Sequence, residues 1–229
     1  MIARRRLLAV LAAGALALVG LAGCRSDPAV AAYVNDVQVT ERQVDQVVES
    51  VRDLVPAERL GEIRRRVVTM LVLRAAGHEF AREEGIAVPA ANPAVMADAT
   101  GLPVDGEYTV LLAEFNAVLQ ALSERAEVTA PTEADQREAY ANLQTNGQAV
   151  PPFDELRQYF STETMGRSVG QRNVLNQVVD RADIVVNPKY GQLIYEVPVT
   201  IGQVPSWLGV PLTDRAAQPV ADGGLAESR

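Results

Sequence analysis

The segment from Glu58 to Glu84 constrains the fold most, because it carries a helical pattern longer than most helices of globular proteins. No proline interrupts it, and its apolar residues widen into a nearly continuous stretch from Val67 to Ala76. A helix that is apolar around much of its circumference is buried on several sides. The pattern therefore predicts a central helix surrounded by other elements, with Gly85 as its C-terminal cap.

A short strand, a tight turn and a returning strand are predicted immediately before the first helix. The strands are Ala32–Val34 and Val37–Val39, with Asn35-Asp36 as the turn between them. Thr40 has a side chain suited to an N-cap, and Gln43 completes a capping box. The helix is predicted to end at Pro56 and to bury one apolar face, made of Val44, Val47, Val48, Val51, Leu54 and Val55.

Further helices are predicted along the rest of the chain, so the fold class is mainly α. Residues 89–105 predict an irregular connection or one short helix. The later predicted elements are helices over Glu107–Glu127, Thr132–Leu143, Phe153–Thr164 and Val169–Ala182, with a break at Gly166, and strands over Ile184–Val186 and Leu193–Ile201. We expect a helical bundle with a small β element in which Ala31–Val34 lies beside Asp183–Val186. Beyond Trp207 the composition predicts disorder.

The N-terminal segment has the order of a secretion signal. Three arginines, Arg4 to Arg6, precede an apolar stretch from Leu7 to Leu21, and Leu21-Ala22-Gly23-Cys24 resembles a bacterial lipobox. An apolar run of about 15 residues is shorter than the roughly 20 that a membrane-spanning helix needs. We therefore predict a lipoprotein signal peptide over residues 1–23, lipidation of Cys24, a tether over residues 24–30 and attachment to the extracytoplasmic face of the cell membrane.

Cysteine usage and charge exclude several classes of protein. Cys24 is the chain's single cysteine, so a lipidated chain forms no disulfide and must be stabilised by its core. Removal of the leader with its three arginines takes the formal net charge from −8 to −11. An acidic protein of this kind is not expected to bind nucleic acid.

No catalytic or metal-binding constellation is predicted, and no cofactor. Gly166-Arg167-Ser168-Val169-Gly170 fits the G-x-S-x-G nucleophile elbow, but a polar, helical segment precedes it where an apolar strand is required. The chain's one histidine, His78, lies in a predicted helix ninety residues before Ser168, and one histidine without cysteine partners does not make a zinc site. The run Arg64-Arg65-Arg66 is interpreted as a solvated helix face.

Several segments resemble, in the same order, the SurA and PrsA type of extracytoplasmic chaperone. The similar segments are Ala32–Asp45, with Asp36 where the family usually has glycine, Glu83–Val88, Val128–Asp135 with Tyr140, Phe153–Leu156 and Ala182–Val186. Asn187–Gly191 is similar to the ending of SurA-like lipoproteins from high-GC Gram-positive bacteria. The resemblance covers residues 31–190 and implies a SurA N-terminal chaperone module, followed by an edge strand and tail over residues 191–229.

The resemblance implies a chaperone without isomerase activity. Catalytic members carry a parvulin domain where this chain has the short segment Gln144–Pro152. The function hypothesis is therefore a membrane-anchored holdase for unfolded or exported proteins. The alternative is a non-catalytic envelope-assembly lipoprotein with one dedicated partner, docked through the tail and the edge strand near Ile194–Val199. The candidate client-binding residues are Val67, Leu71, Phe115, Leu119 and Leu122, although for each of them plain core packing is the favoured interpretation.

Overall fold

The computed structural model of the chain describes residues 27–145 and 150–213, which form a mainly helical structure with two small antiparallel sheets. The helices are α1 (Glu41–Glu49), α2 (Leu60–Glu83), α3 (Pro93–Thr100), α4 (Glu107–Ser123), α5 (Glu133–Thr145), α6 (Phe153–Phe160) and α7 (Glu163–Arg181). The strands are β1 (Val30–Val34), β2 (Val37–Thr40), β3 (Ile184–Val186), β4 (Ile194–Ile201) and β5 (Val204–Pro211).

A three-stranded sheet brings distant parts of the sequence together. Strand β1 lies in the middle, antiparallel to β2 on one side and to β3 on the other, with Tyr33 opposite Val185. Asn35 occupies the β1–β2 turn with φ at 51°, and its side-chain oxygen accepts a 2.7 Å hydrogen bond from the Asp183 N–H. The predicted pairing of the Ala31–Val34 and Asp183–Val186 segments is confirmed.

Helix α2 is the central helix, as its pattern predicted. It packs against α1, α4, α7 and β1, and Val67, Val68 and Val72 have no exposed surface. Gly77 allows α4 to approach closely, since a Cβ at this position would lie 2.5 Å from the Val118 side chain. Gly85 follows the helix with φ at 66°, which confirms its role at the C-terminus.

The first helix ends earlier than predicted. Thr40 caps α1 by accepting a hydrogen bond from the Gln43 N–H, but the helix stops at Glu49. The Ser50 hydroxyl donates to the Val47 carbonyl at 2.8 Å and accepts from the Tyr108 N–H at 3.1 Å. These bonds turn the chain toward α4, so Leu54 falls in a short 3₁₀ turn and is 53% exposed rather than buried.

The predicted helix break at Gly166 is wrong. The break lies at Ser161–Thr162, where the Thr162 hydroxyl accepts from the Met165 N–H and caps α7. Gly166 and Gly170 lie inside α7 and face the segment before α5, where the Thr129 N–H donates to the Gly166 carbonyl at 3.0 Å. These glycines mark a close approach between two backbone segments, which composition does not distinguish from a break.

A hairpin of β4 and β5 forms the second sheet. The predicted edge strand is present as β4, but the predicted disorder beyond Trp207 is wrong as far as Thr213, because β5 runs to Pro211. Residues 214–229 lie outside the described chain. The two strands pair along their whole length around Gly202-Gln203, where Gly202 has φ at 65°.

The backbone directions in the hairpin explain why its prolines are tolerated. The Gly209 N–H donates to Glu138 at 2.7 Å, and the Trp207 carbonyl accepts from Asn142 at 2.8 Å. The backbone polar groups of both residues therefore point away from β4 and toward α5. Because backbone direction alternates along a strand, the backbone N and C=O of Pro205 and Pro211 also point away from β4. No ladder N–H is needed at these positions, and α5 covers this edge of the hairpin.

Helix α7 packs against both parts of the molecule. One side contacts α2 and α4, and the other contacts β4 and β5. The rings of Phe115 on α4 and Tyr195 on β4 meet edge to face at 5.5 Å between centroids. The helices of the N-terminal part and the hairpin are thereby joined through one hydrophobic core.

Candidate binding cleft

A cleft of about 580 Å³ lies between the C-terminal end of α5, helix α6 and the turn of the β4–β5 hairpin. We refer to it as the α6 cleft. Leu143 and Ile201, both buried, lie at its floor, and Leu156 and Tyr159 of α6 form one wall. The polar groups of its lining belong to threonines, Tyr159 and Gln203, and no charged side chain is among the described residues that line it. This composition suits an uncharged ligand with apolar groups.

Aromatic packing positions helix α6. Phe160 has no exposed surface, and its ring stacks on Phe153 at 5.2 Å between centroids. The Phe153 ring also meets Tyr140 of α5 edge to face at 5.4 Å. The guanidinium groups of Arg137 and Arg157 lie 5.1 and 5.3 Å from its centroid. These contacts hold one face of α6 against α5 and leave Leu156 and Tyr159 at the cleft.

The hairpin turn forms the opposite wall of the α6 cleft. Glycine permits the positive φ of the turn at Gly202, and a Cβ at this position would lie 3.8 Å from the Tyr159 ring, an ordinary contact distance. The Tyr159 side chain remains 39% exposed. It therefore offers a flat apolar surface at the mouth of the cleft.

A buried charge network fixes α5 against α7 and the hairpin. Arg172 of α7 lies 2.6 Å from Asp135 and 3.4 Å from Glu138, both on α5. Burial opposes ionisation of Asp135, but hydrogen bonds from Thr132 and Arg172 outweigh burial and lower its pKa. The Ser206 hydroxyl adds a 2.6 Å bond to the Ala139 carbonyl. The cleft wall that α5 provides is consequently rigidly attached.

Ser168 has no nucleophile geometry. It lies in the second turn of α7, and its hydroxyl donates to the Pro198 carbonyl of β4 at 2.8 Å. The strand-to-helix turn that the G-x-S-x-G motif requires is replaced here by continuous helix. His78 lies on α2 with an exposed side chain.

The five predicted client-binding side chains are buried in the core. Val67 and Leu71 of α2 and Phe115, Leu119 and Leu122 of α4 are each at most 9% exposed. They belong to one hydrophobic core, in which α2 and α4 pack directly together. In this folded state they form closed core rather than an open groove, as the core-packing interpretation of these residues predicted.

The arginine run on α2 is only partly solvated. Arg64 pairs with Glu41 at 3.1 Å and with Asp45, and Arg65 donates to the Gln192 carbonyl at 2.8 Å. Glu41 also meets Lys189 at 2.8 Å and the Tyr190 hydroxyl at 2.9 Å. Burial opposes its ionisation, but these hydrogen bonds lower the pKa of Glu41 overall. Arg64 and Arg65 therefore attach α1 and the segment after β3 to α2 through ion pairs and a hydrogen bond.

The remaining sequence predictions concern the membrane and metals. Cys24, the proposed lipidation site, and the leader lie outside the described residues. Within residues 27–145 and 150–213, no helix is long and apolar enough to cross a membrane. The same residues contain no cluster of histidine, cysteine, aspartate and glutamate suited to a metal ion.

The residues of the α6 cleft were not predicted from the sequence. The segment Ile201-Gly202-Gln203-Val204 carries a recognisable hairpin signal, a glycine-containing pair between two apolar residues, which is enough to predict the turn. Leu143 and Tyr159 carry no comparable signal, since their meeting with the hairpin depends on tertiary packing.

No protein family, curated protein or solved structure matches this chain.

Proposed function

We propose that this chain is a lipid-anchored extracytoplasmic holdase of the SurA and PrsA type that lacks prolyl isomerase activity. Cys24 would carry the lipid, and unfolded or exported proteins would be the clients. The order of strand, turn, capped helix and long central helix supports this assignment, as does the pairing of β1 with β3. Such a fold is compatible with other functions, so the site must carry the argument.

The α6 cleft is the observation that carries the proposal. Unfolded chains differ from folded ones in exposing apolar side chains together with unpaired backbone groups. The cleft offers apolar surface from Leu156 and Tyr159, and hydroxyl groups from Thr162, Thr164 and Thr200 lie beside it. Uncharged lining accepts many sequences, which is what a holdase requires. Clients would therefore bind here rather than at the buried α2–α4 contact.

The test is suppression of aggregation of a chemically denatured protein by the soluble form that starts at Arg25. A refolding reaction limited by proline isomerisation is measured in parallel. We expect suppression at near-stoichiometric amounts without faster refolding. Tyr159→Asp should reduce the suppression several-fold, because a charge at the cleft mouth must be desolvated when an apolar segment binds.

Val95→Asp is the matched control. Val95 is an exposed apolar residue on α3, 51% exposed, and it takes no part in the α6 cleft. We expect this variant to suppress aggregation as the unmodified chain does. Equal losses from both variants, or no suppression by the unmodified chain, would contradict the proposal. The second result would instead favour an assembly lipoprotein with one dedicated partner.

A further inference from the structure

The outer edge of β4 opens into the α6 cleft at Thr200. Residues of β4 alternate in backbone direction, and Thr200 lies opposite Pro205, two positions from the outward-pointing Trp207. Thr200 is therefore at a position where N–H and C=O point away from β5. The carbonyl of Pro198, which lies opposite Trp207, also points away from β5 and accepts a hydrogen bond from Ser168 of α7.

Helix α7 covers this edge at Pro198 but not at Thr200. Thr164 precedes Ser168 by one helical turn, a rise of about 6 Å, and Thr200 follows Pro198 by two strand residues, also about 6–7 Å. By this spacing Thr164 is the α7 residue nearest to Thr200, but Thr200 is exposed. Within the described residues no hydrogen bond joins Thr164 to Thr200, and both residues line the cleft.

We infer that the α6 cleft binds an extended polypeptide segment through the backbone of Thr200, with an apolar side chain of that segment seated against Leu156 and Tyr159. This inference rests on the proposed holdase function and specifies how the client is held. One donor and one acceptor on a strand edge pair with any extended peptide, whatever its sequence. The uncharged lining selects segments without charge at the seated position.

A proline at Thr200 isolates the backbone contribution. Because Thr200 lies at an outward position, as Pro198, Pro205 and Pro211 do, Thr200→Pro removes the outward N–H without removing a ladder hydrogen bond. Thr200→Val removes the hydroxyl and keeps the N–H. Glu196→Pro makes the same backbone change at another outward position of β4 that does not line the cleft.

The probe is reduced, carboxymethylated α-lactalbumin, a permanently unfolded polypeptide, labelled with a fluorophore and titrated at about 0.15 M salt to screen surface charge. We expect Thr200→Pro to weaken binding about five-fold, as loss of one backbone hydrogen bond predicts. Thr200→Val and Glu196→Pro should bind as the unmodified chain does. Circular dichroism and Trp207 fluorescence check that each variant is folded.

The outcomes separate this inference from the holdase proposal. Unchanged binding by folded Thr200→Pro, alongside weakened binding by Tyr159→Asp, would overturn the backbone contact and leave the holdase proposal standing. Equal weakening by Thr200→Pro and Glu196→Pro would also overturn it, because the effect would then come from strand distortion. No binding of the probe by the unmodified chain would overturn both.

Discussion

Among the glycines that the structure describes, Gly170 has the least space for a side chain. A Cβ there would lie 2.0 Å from the Glu127 carbonyl oxygen, and both partners are backbone, so neither can move without displacing its segment. We expect Gly170→Ala to lower the free energy of unfolding by about 1–3 kcal/mol or more through overpacking. Urea unfolding followed by circular dichroism measures the change.

Gly61 supplies the matched control for this substitution. Gly61 is exposed near the start of α2, and a Cβ there would have no atom within 4 Å. Gly61→Ala should raise stability by up to about 1 kcal/mol, since alanine has the higher helix propensity. Similar effects of the two substitutions would contradict the close approach of α7 to the segment at Glu127.

Tyr195 makes stability depend on pH in the alkaline range. Burial raises its pKa to about 12 from the ordinary value of 10.0. A group whose pKa is higher in the folded state stabilises fully below its unfolded pKa and loses that contribution as pH rises toward the folded value. Between pH 9 and pH 11 this tyrosine should therefore cost about 1 kcal/mol of stability.

Tyr195→Phe tests this expectation, because it keeps the edge-to-face contact with Phe115 and removes the ionisable hydroxyl. The variant should lose less stability than the unmodified chain between pH 9 and pH 11, as measured by urea unfolding at both values. An identical loss would show that other groups, among them Tyr190 with a pKa of about 12, account for the alkaline change.

At the scale of the element, the attachment of α5 depends on Asp135. Its carboxylate accepts from the Thr132 N–H at 2.7 Å in a capping box and lies 2.6 Å from Arg172, whose side chain is 14% exposed. We expect Asp135→Ala to destabilise by about 2–4 kcal/mol, because it removes the cap and leaves a largely buried guanidinium less well paired. Arg167→Ala, at an exposed pair with Glu163 on α7, should change stability by less than about 0.5 kcal/mol.

The Asp135 contribution should also depend on pH. The pKa of Asp135 is lowered in the folded state, so its stabilisation is present above the ordinary carboxyl pKa of 3.8 and is lost as pH falls through the folded value. The stability difference between Asp135→Ala and the unmodified chain should narrow below about pH 4. A difference that stays constant from pH 7 to pH 3 would contradict a role for the ionised carboxylate.

Elements with strong local signals were predictable from the sequence, and those set by tertiary contacts were not. Helix α2 and the Thr40 cap follow from apolar periodicity and capping chemistry. The early end of α1 depends on Ser50 meeting Tyr108, which is distant in sequence. The glycines of α7 resemble a helix break until the contact with Glu127 is known. The α6 cleft was missed for the same reason, since α6 and the hairpin turn meet only in the folded chain.

At the scale of the whole molecule, α7 makes the N-terminal helices and the hairpin depend on each other. Met165 and Val169 have 0% and 1% exposure, and α7 contacts α2 and α4 as well as β4 and β5. The hairpin is too small to be stable alone, because isolated two-stranded hairpins are marginal in water. Its stability must come from burial against α5 and α7.

This arrangement predicts one cooperative unfolding transition. Trp207, the chain's single tryptophan, lies on β5, so its fluorescence reports on the hairpin, whereas far-ultraviolet circular dichroism reports mainly on the helices. We expect the two signals to give the same midpoint in urea, since a chain whose parts share one core unfolds as a unit. A fluorescence transition at lower urea would mean that the hairpin separates first. The α6 cleft would then be lost before the helical part unfolds, and client binding, measured along the same titration, would follow the fluorescence rather than the circular dichroism.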